Sequence, residues 1–347
     1  MFQMIKPNTN FDFVGNSKYA YILSFLLLAL SIGVILFNGG PNYGVDFKGG
    51  TLIQVKFDKA VDISDIKDGL SQLNLENVTV QNFSDGEDTA EYLIQTDTSE
   101  MTDSNFNEEL EGALNDATGA TSEIRRTEMV GPAIGKELQD QALQAIFFAL
   151  LFIAIYISGR FENRWLQSGI VGAALIATVL VLNFFKINMF VTILIAFAIT
   201  ILLFWKLNLR YAMGATLALT HDVIVTVGIL TLLGREMTLP IVAAILTIIG
   251  YSLNDTIIVF DRIRENIRKH PREKFSVVIN ESINETLSRT ILTSGTTLIV
   301  VVVLLIFGGS IIRDFTLALF LGIVVGTYSS IYVASPILLL WKKLSAK

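Results

Sequence analysis

The sequence predicts a multi-spanning α-helical membrane protein with about eight spans and one extracytoplasmic α+β domain of the ferredoxin-like type. Of its 347 residues, 52% are hydrophobic and the mean hydropathy is +0.57, a composition that soluble globular proteins do not show. Apolar stretches long enough to cross the roughly 30 Å apolar core of a bilayer recur along the chain. Residues 38–137 lack such a stretch, and short strand and helix patterns alternate there instead.

Charge divides the chain into two parts. The whole chain has a net charge of −6, but residues 38–137 contain 20 acidic and 7 basic side chains, which leaves the remainder positive. Lysine and arginine accumulate in short loops on the cytoplasmic side of a membrane, so the acidic part is predicted to lie outside. The chain has no cysteine, which excludes disulfides, thiolate metal sites and a thiol nucleophile.

The first span is predicted at residues 19–37, after a polar cytoplasmic N-terminus of residues 1–18. A cleaved signal peptide is the competing interpretation. It is disfavoured because the apolar run is too long and because Asn38-Gly39-Gly40-Pro41, which follows, contains no small-x-small cleavage pattern. We therefore expect an uncleaved anchor.

The extracytoplasmic residues 38–137 are predicted to fold as a βαββαβ domain. Strands are expected at 51–57, 77–83, 90–96 and 121–130, and helices at about 62–73 and 103–117. A turn is expected at Ser84-Asp85-Gly86, and Asp103 or Ser104 is expected to cap the second helix. The domain contains no histidine, no paired catalytic carboxylates and no metal-ligand spacing, so it is predicted to be a binding or lever module.

Two glycine motifs flank this domain. The first, GVDFKGGT, contains Gly44, Asp46, Gly49 and Gly50 and looks superficially like a phosphate-binding loop. A strand follows it and not a helix, so a nucleotide site is excluded, and its glycines are predicted to make a tight turn after the first span. The second motif, Gly131-Pro132, marks the return of the chain to the membrane.

The remainder, residues 138–341, is predicted to be a transmembrane bundle. Its spans are expected at about 139–158, 166–185, 187–205, 211–233, 239–260, 290–308 and 315–340. The two spans at 166–205 have no charge in their apolar parts, so they are expected to form a peripheral hairpin facing lipid. Residues 261–289 form a cytoplasmic segment whose Ile279, Ile283 and Leu287 predict an amphipathic helix lying along the inner surface. Residues 342–347 end the chain in the cytoplasm.

Asp255 is the only charged residue between Leu239 and Phe260. A carboxyl group at that depth costs at least about 2.5 kcal/mol unless it is neutral, paired or hydrated. Beside it runs a face of small or polar groups, typical of a helix that packs against protein: Thr247, Gly250, Tyr251 and Asn254. The alternative is a carboxyl that only joins two helices by a hydrogen bond. We favour a functional group, because an ionisable residue inside a membrane is a functional candidate by default.

Three further features of the spans complete the candidate site. His221 and Asp222 lie near the middle of their span, either as a pair that satisfies itself or as titrating groups in a proton path. Arg289 leads the span at 290–308, at about the depth of Asp255; it either extends to the lipid headgroups or faces that carboxyl. Gly322 and Gly326, four residues apart, predict close packing of the last span against another helix.

Six sequence blocks resemble one family. They are GVDFKGGT, GPAIGKEL, LALTHDV, LTIIGYSLNDTIIVFDRIREN, RTILTSGTT and SSIYVASP. Together, in this order, they resemble signatures of SecF, a subunit of the bacterial protein-export machinery, over nearly the whole chain. The departure is at residues 166–209, because SecF proteins usually have six spans and this chain has accepted an inserted hairpin. Two added spans leave the orientation of all later spans unchanged.

The resemblance implies a function in the cytoplasmic (inner) membrane of a bacterium. It implies a heterodimer with SecD, which shares a fold with resistance-nodulation-division pumps, and association with the SecYEG channel and the translocating polypeptide. It implies that the proton-motive force drives late translocation and release. The family's proton-conducting aspartate and arginine correspond to Asp255 and Arg289. We expect surrounding membrane lipid but no nucleic acid, cofactor, metal or catalytic residue.

Three other functions compete with this one. An intramembrane aspartyl protease would use Asp222 and Asp255, but these differ in depth and neither lies in a Gly-x-Gly-Asp pattern. A proton-driven small-molecule exporter of the resistance-nodulation-division type would need a partner or a dimer, because this chain is about half of such a pump. A passive scaffold would be insensitive to the loss of the Asp255 charge.

Overall fold

The computed structural model describes residues 10–73, 75, 77–82, 90–98 and 106–345. The turn predicted at Ser84-Asp85-Gly86 and the caps predicted at Asp103 or Ser104 lie outside these residues. Within them, eight helical stretches are long and apolar enough to cross a membrane, and a small antiparallel sheet lies between the first two. The predicted fold class is therefore confirmed.

The helices account for most of the chain because a backbone in lipid must satisfy its own hydrogen bonds. They are α1 Ser17–Phe37, α2 Val45–Lys48, α3 Ile63–Leu70, α4 Phe106–Thr118, α5 Pro132–Glu162, α6 Trp165–Phe184, α7 Met189–Leu207, α8 Arg210–Leu232, α9 Leu239–Lys269, α10 Phe275–Phe307, α11 Gly309–Ser329 and α12 Ser335–Ser345. A 3₁₀ turn, Ser71–Leu73, extends α3, and a π-helical turn, Ser330–Ala334, joins α11 to α12 into one span.

The extracytoplasmic domain is a four-stranded sheet with two helices on one face. Its strands are β1 Gly50–Phe57, β2 Thr79–Asn82, β3 Ala90–Thr96 and β4 Ser122–Val130. They lie in the order β2-β3-β1-β4 with every neighbouring pair antiparallel, which is the ferredoxin-like arrangement. Alternate residues of the central strands are buried, as a sheet with one covered face requires. The core contains Ile53, Ile94, Ile66, Leu110 and Leu114.

The bundle is organised around α8 and α9. Helix α8 contacts α1, α5, α7, α9 and α11, and α9 also contacts α5, α10 and α11. The α6–α7 hairpin packs on the outside, mainly against α5. Large apolar side chains such as Leu166 and Phe184, each more than 80% exposed, cover its outer surface. Lipid suits such a surface.

Residues 261–289 differ from the prediction of a separate helix along the inner membrane surface. Helix α9 continues to Lys269 and α10 already begins at Phe275, so the spans themselves extend beyond the apolar core. Ile279 and Ile283 are buried in the bundle core, and the Asn266 amide donates to Ser282 Oγ at 3.1 Å. The amphipathic pattern therefore reflects packing of α10 against α9. This packing buries the apolar stripe that a helix lying on the membrane surface would turn toward the lipid chains.

Candidate functional site

Asp255 is held in the middle of the bundle by hydroxyl groups from two neighbouring helices. Its side chain is 1% exposed, and its Oδ2 accepts a hydrogen bond from Ser294 Oγ of α10 at 3.0 Å. Thr327 Oγ1 of α11 donates in turn to Ser294 Oγ at 2.9 Å. Asp255 Oδ1 has no hydrogen-bond partner among the described residues. One oxygen of a buried carboxyl group therefore remains free to receive a proton.

The structure does not pair Arg289 with Asp255. Within the described part of the chain, neither side chain belongs to an ion pair with N···O within 4.0 Å, and Arg289 is exposed. Arg289 precedes Ser294 by five residues, about 7.5 Å along the axis and roughly 140° around the helix. Arg289 and Ser294 therefore lie on different faces of α10, which accounts for the missing ion pair among the described residues. The action of Arg289 on Asp255 stays a prediction.

His221 and Asp222 form a second buried polar site, between α8, α9 and α11. Their side chains are 4% and 1% exposed, and His221 Nδ1 lies 3.0 Å from Asp222 Oδ1. Asp222 Oδ2 accepts hydrogen bonds from Ser252 Oγ at 2.6 Å and from Ser329 Oγ at 2.7 Å. Both oxygens of Asp222 are thus occupied, as the self-satisfied interpretation expects, although His221 Nε2 has no partner among the described residues.

The two buried carboxyl groups share helices but not partners. Ser252 lies one turn before Asp255 on α9, and Thr327 and Ser329 are two residues apart on α11. No hydrogen-bonding group contacts both carboxyls among the described residues. A paired-aspartate protease site requires both carboxyls at one water molecule. The arrangement therefore favours two separate carboxyl groups, whose different partners lie on the same helices of the bundle.

Sequence reasoning missed the hydroxyl groups that hold the carboxyls, because serine and threonine are common in membrane helices and carry no charge signal. The missed residues are Ser252, Thr327 and Ser329, together with the specific role of Ser294. The only sequence signal for these partners was that hydroxyl residues occur in otherwise apolar spans. That signal does not say which helix each residue faces.

The predicted polar face of α9 is only partly covered by this chain. Tyr251 donates to the Thr293 carbonyl oxygen of α10 at 3.1 Å, but Thr247, Gly250 and Asn254 are exposed. In the part of the chain that the structure describes, no atom lies within 4 Å of a Cβ built on Gly250, so this glycine does not serve helix packing there, contrary to the prediction. Asn254 likewise contacts neither buried carboxyl group, because it points away from the bundle.

Gly322 and Gly326 bring α11 against α9 at the level of the site. A Cβ on Gly322 would lie 2.3 Å from Ile248 Cδ1, and a Cβ on Gly326 would lie 2.8 Å from Ser252 Cβ. Real Cβ atoms do not approach so closely, so both positions require glycine for this packing. The same close approach brings the α11 hydroxyl groups within reach of the two carboxyls.

The glycine motifs meet at the outer end of the bundle. Val45–Lys48 form the short α2 after Gly44, and Gly49 and Gly50 have φ angles of +81° and +122°, which favour glycine. A Cβ on Gly49 would lie 2.8 Å from Cα of Pro132, which together with Gly131 begins α5. Asp46 accepts a hydrogen bond from the backbone of α9. The two motifs thus form one junction between the domain and the bundle.

These observations define a class: membrane proteins whose helical bundle buries ionisable groups and whose extracytoplasmic domain is joined to that bundle, as expected of a transport machine. Comparison with known families narrows the class. The model "Protein export membrane protein SecD/SecF, C-terminal" matches residues 110–198 and 183–344, and the SecD/SecF GG motif matches residues 34–61. The two matched ranges overlap at residues 183–198, within the α6–α7 hairpin.

Relatives agree over nearly the full length. The chain is 40% identical over 339 residues to the protein translocase subunit SecF of Vibrio alginolyticus, covering 98% of this chain and 92% of the relative. It is 38% identical to SecF of Calditerrivibrio nitroreducens, covering 99% and 97%. The chain belongs to the SecD/SecF family of protein export membrane proteins, among the SecF translocase subunits. A role in Sec protein export follows, and the small-molecule exporter is not favoured.

A solved relative shows the same fold. The crystal structure of SecDF from Thermus thermophilus, a translocon-associated membrane protein, matches with a TM-score of 0.71 and 32% identity over 98% of this chain. SecDF in its super-membrane-facing form matches with a TM-score of 0.60 and 31% identity. This chain spans 40% of the length of either SecDF chain.

Proposed function

We propose that this chain, paired with SecD, uses the proton-motive force to promote late translocation and release of polypeptides that emerge from the SecYEG channel. The observation that carries the proposal is Asp255, a buried carboxyl with one oxygen that has no hydrogen-bond partner among the described residues. It lies on a helix that reaches from the bundle centre to the extracytoplasmic domain. Both termini lie in the cytoplasm, because the eight spans are even in number and the acidic domain lies outside.

Protonation of Asp255 supplies the change of state. An ionised carboxyl accepts the Ser294 hydrogen bond strongly, while a neutral carboxyl accepts it weakly and removes a buried charge. The contact of α9 with α10 and α11 therefore has two arrangements, one for the ionised and one for the protonated Asp255 carboxyl. Moving one charge through the membrane potential supplies about 2.3 kcal/mol per 100 mV, which biases such a two-state element about fiftyfold.

The exposed polar face of α9 and α10 fits SecD as the partner. Thr247, Gly250 and Asn254 on α9, and Thr296 and Arg289 on α10, are exposed although they lie in or beside membrane spans. The Thr247 and Thr296 hydroxyls donate to carbonyl oxygens of their own helices, but lipid does not satisfy the Asn254 amide or the Arg289 guanidinium, and small residues allow a second helix to approach closely. Arg289 then acts from this interface, where a SecD carboxyl is a natural partner in a site shared by the two subunits.

Reconstitution tests the proposal. Vesicles containing the Sec channel, its nucleotide-driven motor, SecD and this chain should export a preprotein faster when a proton gradient is imposed, and a proton ionophore should abolish the gain. Vesicles without this chain are the control. Equal export with and without the gradient, in the presence of this chain, would contradict the proposal.

Gly250→Leu is expected to reduce copurification of SecD by at least about fivefold, because the added side chain keeps the partner helix from approaching. The melting temperature of the chain alone should stay unchanged, since no atom of the described residues lies within 4 Å of a Cβ at this position. Gly169→Leu on the peripheral α6 is the matched control, because it is also exposed with no atom within 4 Å. Equal SecD yields from both variants would place the SecD interface elsewhere.

A further inference from the structure

We propose that Asp46 is a positioning residue that fastens the extracytoplasmic domain to α9, so that movement of α9 reaches the domain directly. This inference rests on the proposed function. The connection, here named the outer clamp, consists of residues 42–46 and 236–239. It joins the segment that leads into the domain to the start of the helix that carries Asp255.

The outer clamp is built from four polar contacts between segments far apart in the chain. Met237 N donates to the Asn42 carbonyl oxygen at 2.5 Å, and Gly44 N donates to the Met237 carbonyl oxygen at 2.9 Å. Tyr43 and Met237 pair as a parallel β-bridge. Leu239 N donates to Asp46 Oδ2 at 2.8 Å, and Gln95 of β3 donates to Glu236 Oε2 at 2.7 Å.

Asp46 is suited to hold a helix terminus. Leu239 is the first residue of α9, Thr238 before it makes no side-chain capping bond, and Pro240 has no backbone N–H. The first N–H groups of a helix lack partners within the helix, and its N-terminus carries partial positive charge. A carboxylate from another segment therefore caps α9 where its own sequence supplies no cap.

On the domain side of the outer clamp, α2 is packed closely and has little room to move. Asp46 lies in α2, which runs directly through Gly49 into β1. A Cβ on Gly135 of α5 would lie 2.9 Å from Gly49 N, and a Cβ on Gly44 would lie 3.1 Å from Thr238 Cγ2. Helix α2 is thus packed between the beginnings of α5 and α9. If α9 moves while Asp46 stays in place, the hydrogen bond from Leu239 N to Asp46 Oδ2 breaks.

The clamp supplies a connection that the covalent chain does not. The domain is covalently joined to α1 and α5, whereas α9 follows α8 through the short loop 233–238. Asp255 lies 16 residues after Leu239, about 24 Å along one continuous helix. A rigid helix transmits axial or rotational shifts over that distance, and the clamp passes them to β1.

A rescue experiment tests this role in the reconstituted system. Asp46→Ala is expected to lower proton-driven export about fivefold, because the cap is lost, while Asp46→Asn retains an acceptor oxygen and most of the activity. The chain has no cysteine, so Tyr43→Cys with Met237→Cys offers one defined disulfide. The two positions are paired in a β-bridge, and paired strands lie about 4.8 Å apart, a spacing that a disulfide can span. In the Asp46→Ala background, oxidation of this pair should restore export and reduction should remove it again.

The outcomes separate this inference from the proposed function. If wild-type export responds to the gradient but Asp46→Ala is fully active, or if the oxidised pair does not restore it, the clamp is not the connection. If wild-type export itself ignores the gradient, the proposed function fails instead. Thermal unfolding and SecD copurification of each variant show whether a loss comes from misfolding, and a disulfide that restores activity excludes that cause.

Discussion

Asp255→Asn is expected to reduce export to the level seen without a proton gradient, while folding and SecD copurification remain intact. Asparagine keeps the size of the side chain and an oxygen that accepts the Ser294 hydrogen bond, but it cannot exchange a proton. The gain of about 2.3 kcal/mol per 100 mV is then unavailable. The measurement is preprotein export in vesicles as a function of imposed gradient.

Asp261→Asn provides the matched control on the same helix. Asp261 pairs with Arg160 at 2.7 Å near the cytoplasmic end of α9, with both side chains more than 40% exposed. Exposed pairs contribute about 0–1 kcal/mol, so this variant should export normally. Proton-driven export by Asp255→Asn at the wild-type rate would remove Asp255 from the mechanism and would favour a scaffold function.

Gly322→Val is expected to destabilise the bundle clearly and to lower export with it. The new Cβ would overlap Ile248, whose Cδ1, Cγ1 and Cγ2 lie 2.3, 2.4 and 2.6 Å from its position. Overpacking of this kind costs about 1–3 kcal/mol and separates α11 from α9. Separation also weakens the hydrogen bonds of Asp222 to Ser252 and Ser329, so a lower melting temperature and lower export should occur together.

Gly295→Val on α10 is the comparison for this stability measurement. It makes the same change of helix propensity, but no atom lies within 4 Å of a Cβ at Gly295. Thermal unfolding of purified protein in detergent, followed by intrinsic fluorescence, should show a clearly lower midpoint for Gly322→Val. Equal midpoints would mean that α11 can move away from α9 without cost.

The sequence by itself determined the fold class and the identity of the most unusual residue. A helix that crosses a bilayer must be long and apolar, so composition and run length locate the spans without knowledge of their neighbours. Alternation of strand and helix patterns was sufficient for the βαββαβ domain. Asp255 was apparent because a charge in an apolar run is rare, and that rarity does not depend on tertiary contacts.

Only the tertiary structure decided which groups meet. Periodicity defines a face of a helix but not what packs on that face. Only the structure therefore shows that the described residues contain no ion pair between Arg289 and Asp255, and that Gly250 is exposed. The same limit applies to Ser294 and Thr327, which are ordinary residues until three helices converge on one carboxyl. Asp46 caps a helix 193 residues later in the chain, and no local pattern encodes such a contact. Packing between distant segments sets these partners, because it fixes the rotation of each helix about its own axis.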